Sequence, residues 1–82
     1  MKHLSGRWYA KEPTKYINIL PQGVKAYKMY VTEVDAVNDR IVYDSFYMDG
    51  NNTVINSKID KEARWDSFIK CVEAGELQRN RP

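Results

Sequence analysis

The sequence predicts a small α+β fold: a bent antiparallel sheet of four or five strands, or an SH3-like barrel made from the same strands, with one C-terminal helix. Three observations carry that prediction. Apolar residues alternate with a period of two through most of the stretch ending at Ile59. Turn-forming residues punctuate that stretch at Pro21-Gln22-Gly23, Asn38-Asp39 and Asp49-Gly50-Asn51-Asn52. Beyond Asp60 the apolar period changes to 3.6.

The elements follow in order. Residues 1–14 are expected to be a loosely held arm, because Gly6 and Pro13 interrupt them and their only apolar cluster is Trp8-Tyr9-Ala10. Residues 15–59 form a β-meander. It begins with a short run at Lys15–Leu20 and a turn at Pro21-Gln22-Gly23. Val24–Val34 is the longest strand. It sets Tyr27, Met29 and Val31 on one face and Ala26, Lys28, Tyr30 and Thr32 on the other. The alternation changes phase at Val34, which places a bulge near Thr32-Glu33. Asn38-Asp39 makes a tight hairpin turn, since both residues tolerate a positive φ. Ile41–Met48 is dense in β formers, and Thr53–Ile59 closes the meander with Ile55, Ser57 and Ile59 on one face.

Residues 60–77 form the helix and its cap. Asp60 is the expected N-cap, and the apolar stripe is Trp65, Phe68, Ile69 and Val72. Gly75 suits the C′ position, and Leu77 folds back on the last turn. Residues 78–82 read as a frayed basic tail. The whole of residues 1–82 is expected to be one domain, because 82 residues carry no linker and no internal repeat.

Charge is divided along the chain. Residues 1–28 hold six bases against one acid, a net of +5, and residues 29–60 hold two bases against six acids, a net of −4. The formal total of +2 therefore conceals a dipolar molecule, which steers anionic partners to one end or brings two copies together. A homodimer is an expected state. Cys71 is the only cysteine, so no intramolecular disulfide forms. Met1-Lys2-His3-Leu4-Ser5-Gly6 is followed by Arg7 and Trp8 rather than by an apolar core, so no secretory leader is expected, and no apolar run approaches a membrane span. The expected location is the cytoplasm.

Catalytic chemistry has little to work with. His3 is the only histidine and lies in the terminal arm, and the carboxylates stand singly at bends and turns. One cysteine and one histidine do not make a zinc site, and Asp49-Gly50-Asn51-Asn52 lacks the spacing of a calcium loop. Cys71 falls late in the helix, where a partly buried structural thiol is expected. The protein is expected to be no enzyme, with no metal and no cofactor.

The basic N-terminal third interleaves cations with rings, a pairing that suits single-stranded nucleic acid: cations follow phosphates and rings stack on bases. The candidate residues are Arg7, Trp8, Tyr9, Lys11, Lys15, Lys25 and Lys28, with Trp8 and Tyr9 as the rings left uncommitted by the core. The alternative is a protein-binding inhibitor. Its acidic middle segment, with Asp35, Asp39, Asp44 and Asp49, would mimic phosphate against a basic enzyme surface.

From Gly23 to Leu77 the chain resembles small accessory proteins of tailed bacteriophages. In these a meander of the form Val-x-Glu-Val-Asp and Arg-Ile-Val-Tyr precedes a Trp-Asp-x-Phe helix. The matching residues are Val31–Asp35, Arg40–Tyr43 and Trp65–Phe68. The resemblance implies the SH3-like meander plus helix, a phage-encoded regulatory setting, and either nucleic-acid binding or the blocking of a host enzyme of nucleic-acid processing or defence. No functional residue carries over from it.

Overall fold

Five antiparallel strands lie side by side in the order β4-β3-β2-β1-β5, and one helix covers one face of the sheet. The computed structural model describes residues 4–11 and 23–80. The strands are β1 (Gly6–Ala10), β2 (Ala26–Asp35), β3 (Arg40–Met48), β4 (Val54–Ala63) and β5 (Leu77–Gln78), with α1 (Trp65–Glu73) between β4 and β5. The sheet is open, so of the two expected forms the bent sheet is observed and the closed SH3-like barrel is not. The run expected at Lys15–Leu20 lies outside the described residues.

β2 and β3 form the central hairpin. Tyr27, Met29 and Val31 of β2 are buried, as their alternation requires. The register with β3 shifts between Val31 and Glu33, so the expected bulge is there. The hairpin closes through residues 36–39, where Asp39 has φ 52°. At the other end of β3, Asp49 Oδ1 accepts the backbone N–H groups of Asn51 (2.8 Å) and Thr53 (2.9 Å), which fixes the turn into β4.

Three expectations need correction. The segment Gly6–Ala10 is a strand, not an arm. It pairs with β2 on one side and β5 on the other, and Trp8, Tyr9 and Ala10 are all buried. The helix does not start at Asp60. β4 continues to Ala63, and Asp60 sits within it at φ 54°, its N–H donating to Asp44 Oδ1 (3.0 Å). The start of the helix is fixed from the β2–β3 hairpin instead. Arg64 offers no side-chain cap, and Asp39 Oδ1 accepts the Asp66 N–H (2.8 Å) while Asp39 Oδ2 accepts Arg64 Nε (2.8 Å). The tail is also tied down. Gln78 pairs with Tyr9, and Arg79 donates to the carbonyls of Ser5 and Arg7 (both 2.9 Å).

The helix ends as Gly75 predicts. Gly75, at φ 77°, donates to Val72 O, and Glu76 donates to Cys71 O, the paired bonds of a Schellman cap. Leu77 then turns into the core. Phe68 is the buried residue of the stripe, with Trp65, Ile69 and Val72 packed around it. Ser45, the buried polar residue of this core, shares a hydrogen bond with the Tyr27 hydroxyl (2.9 Å). Burial pushes the Tyr27 phenol well above its ordinary value. No helix among the described residues is long and apolar enough to cross a membrane.

Candidate nucleic-acid interface

The pairing register assigns side chains to the two faces of the sheet. The face under α1 carries Trp8, Met29, Ser45 and their neighbours. The opposite face carries two cross-strand rows. One runs Arg7, Tyr30, Asp44; the other runs Tyr9, Lys28, Phe46, Ser57. Residues in a row are one strand spacing apart, about 4.8 Å. Tyr30 is 44% exposed and Phe46 half-buried, so this face is open beside Arg7 and Lys28, while its Tyr9 and Met48 are buried. The Lys28 ammonium stands 5.0 Å from the centre of the Phe46 ring. At an exposed site such a contact contributes about 0.5–1 kcal/mol.

The sequence candidates divide into three groups. Arg7, Lys11 and Lys25 are exposed, and Lys28 is half-buried on the open face. Lys11 and Lys25 flank a cleft of about 270 Å³ at one end of the sheet, with Tyr9, Met48 and Asp49 in its wall. Trp8 and Tyr9 are not available for stacking: each is only 6% exposed. Trp8 donates from Nε1 to Leu4 O (2.8 Å) and meets Phe68 edge-on at 5.6 Å. The Arg79 guanidinium lies 3.9 Å from its ring centre. Trp8 packs into the core under α1, whereas Tyr9 is buried on the opposite face, at the end of the sheet beside Met48. Lys15 lies outside the described residues.

Tyr30 and Phe46 are the rings that sequence reasoning did not single out for binding. The signal for Tyr30 was in the alternation of β2, which sets it beside Lys28 and away from Tyr27 and Met29. Phe46 becomes visible only through its register opposite Lys28.

The electrostatic pattern separates the two halves of the charge division. Among the described residues none of Arg7, Lys11, Lys25 and Lys28 pairs with a carboxylate, whereas Arg40, Arg64 and Lys70 do. The acids of the middle segment are engaged at home. Asp35 accepts from Asn38 Nδ2 (2.8 Å) and lies 3.9 Å from Arg40; its carboxyl is held below the ordinary range by Asn38 first and Arg40 last. Asp39 anchors the helix start, and the Asp66 N–H followed by Arg64 holds its carboxyl low in the same way. Asp44 accepts the Asp60 N–H, and Asp49 builds its turn.

Among the described residues no three of His, Cys, Asp and Glu gather as a metal-binding cluster would require. Cys71 is half-buried and borders an apolar cavity of about 170 Å³ between α1 and the sheet, with Tyr27, Met29, Ile41 and Phe68 around it. The open face carries exposed Arg7 and Tyr30 and half-buried Lys28 and Phe46. No protein-family model, curated protein or solved structure matches the chain.

Proposed function

We propose that the protein is a non-enzymatic module that binds RNA or single-stranded nucleic acid on the open face of its sheet. The observation that carries this reading is the contrast between the two charge groups. Among the described residues, Arg7 and Lys28 stand beside Tyr30 and Phe46 with no carboxylate partner, while the acids of the middle segment are engaged in turns, a bulge and a helix start. Arg7 and Lys28, with Lys11 and Lys25 at the end of the sheet, would follow the phosphates. Tyr30, and Phe46 once Lys28 moves, would stack on bases, each worth about 1–3 kcal/mol. Stacking of this kind tolerates any base, so the reading implies weak sequence preference. With the phage setting that the resemblance implies, the role is regulatory and the place of action the host cytoplasm.

Fluorescence anisotropy of labelled single-stranded RNA and DNA tests this. Tyr30→Ala should weaken binding roughly 5- to 100-fold, the loss of one stacked base. Tyr30 is exposed, so the far-UV spectrum should not change. Absence of binding at low salt would reject the proposal. If charge reversal of Asp39 and Asp44 instead abolished capture of a host protein while Tyr30→Ala did nothing, the inhibitor reading would replace it.

A further inference from the structure

The two edges of the sheet are unequal. β5 is two residues long, whereas β4 has ten, and every residue from Val54 to Glu62 is exposed. Val54 (50% exposed), Ile55 (43%) and Ile59 (67%) stand on this edge strand. A long exposed edge strand that carries apolar side chains is a template for another strand. We infer that β4 pairs antiparallel with β4 of a second copy, about a two-fold axis at Ser57, making one continuous ten-stranded sheet.

Several observations select that partner and that register. β4 carries Lys58 and Lys61 against Asp60 and Glu62, so the strand is neutral and does not repel its own copy. The Ser57 N–H donates to the exposed Asn56 side chain (2.9 Å), which puts the outward-facing backbone groups of the regular stretch at Ser57. The pairing of β4 with β3 is regular over Asn56–Lys58, with shifts on either side. A two-fold axis at Ser57 places Ile55 opposite the partner's Ile59, and Asn56 opposite the partner's Lys58. The exposed isoleucines cover each other, and no like charges meet. An axis at Lys58 would oppose two lysines and use inward-facing groups. An axis at Ile59 would need regular pairing through Asp60, whose φ of 54° breaks the strand. The facing Ser57 residues exchange two backbone hydrogen bonds, and the pairing grows from there as Ile55 meets the second copy's Ile59. The contact joins one strand to one strand, a small interface beside the roughly 800 Å² per partner of a standard one, so the dimer is a weak, concentration-dependent one. Pairing also extends the open face: Lys28, Phe46 and Ser57 continue into the same residues of the second copy.

Sedimentation of the full chain over micromolar to millimolar concentration, with single cysteines in a Cys71→Ser background, tests this. The expected result is a monomer–dimer equilibrium that Ile59→Lys abolishes with the far-UV spectrum unchanged. Ser57→Cys should oxidise to a covalent dimer at least tenfold faster than Ile55→Cys. Facing Cα atoms at the axis are about 5.5 Å apart, within disulfide reach, whereas the two copies of residue 55 are offset by about 13 Å along the strand. Should Cys71→Ser disturb the fold, the same disulfide is mapped by mass spectrometry with Cys71 retained. A 9.6 kDa species at every concentration, or equal cross-linking at both positions, would overturn the inference.

Discussion

Phe68→Ala is the sharpest test of how the fold is held. Phe68 is 4% exposed, the buried residue of α1, and its ring meets Trp8 edge-on at 5.6 Å. Three contributions are lost together. Burial of a phenylalanine stabilises by about 1.5–3 kcal/mol. The edge-to-face contact adds about 0.5–1.5 kcal/mol. The void left behind adds a further cost, because it merges with the 170 Å³ cavity that Phe68 already borders, and neighbours around an existing space have little to close upon. The expected loss is about 3–5 kcal/mol, in line with buried aromatic truncations generally. A chain of 82 residues has a total stability of roughly 4–12 kcal/mol, so the variant sits near the limit of folding. Urea unfolding followed by far-UV circular dichroism measures it. Phe68→Leu should keep most of the stability and provide a folded reference. A loss under about 1 kcal/mol, or melting of the helix with the sheet intact, would refute the view that α1 is part of the core.

Three other expectations follow from individual contacts. Asp39→Asn should remove part of the acid sensitivity of folding. The Asp39 carboxyl is held below its ordinary 3.8, so its contribution is present above that value and lost as pH falls through the lower folded pKa. Thermal melts from pH 6 to pH 2 should then show a shallower decline for the variant. Trp8→Phe should cost about 2 kcal/mol in urea, because it strands Leu4 O and leaves a smaller ring beneath Arg79. Trp65→Phe should cost less, since Trp65 Nε1 is buried without a partner. Tyr27→Phe should cost about 1–2 kcal/mol by depriving buried Ser45 of its partner, and Ser45→Ala in the same chain should recover part of that in a double-mutant cycle.

What could be seen in the sequence was local. The β2 alternation, the bulge after Val31, the positive φ at Asp39 and the cap at Gly75 each depend on a few adjacent residues. What escaped was set by distant neighbours. Trp8-Tyr9-Ala10 does not alternate in burial because Trp8 and Ala10 join the core under α1 while Tyr9 is buried on the opposite face beside Met48, so this end of β1 reads as a plain apolar cluster. Asp60 looked like the nearest cap, yet the side chain that fixes the helix start comes from Asp39, in the preceding hairpin. Arg79 looked like a tail residue, and its place over Trp8 depends on β5 pairing with β1. The candidate site divided in the same way: its cations were legible from composition, while its usable rings required the register.

The salt dependence of single-stranded RNA binding tests the central claim most directly. The logarithm of the association constant should fall linearly with the logarithm of salt concentration. Arg7→Gln with Lys28→Gln should make that slope shallower by about 1.4, the release of counterions from two phosphate contacts on a single strand. A slope unchanged by the double variant, or binding indifferent to salt, would contradict the placement of the interface on the open face of the sheet.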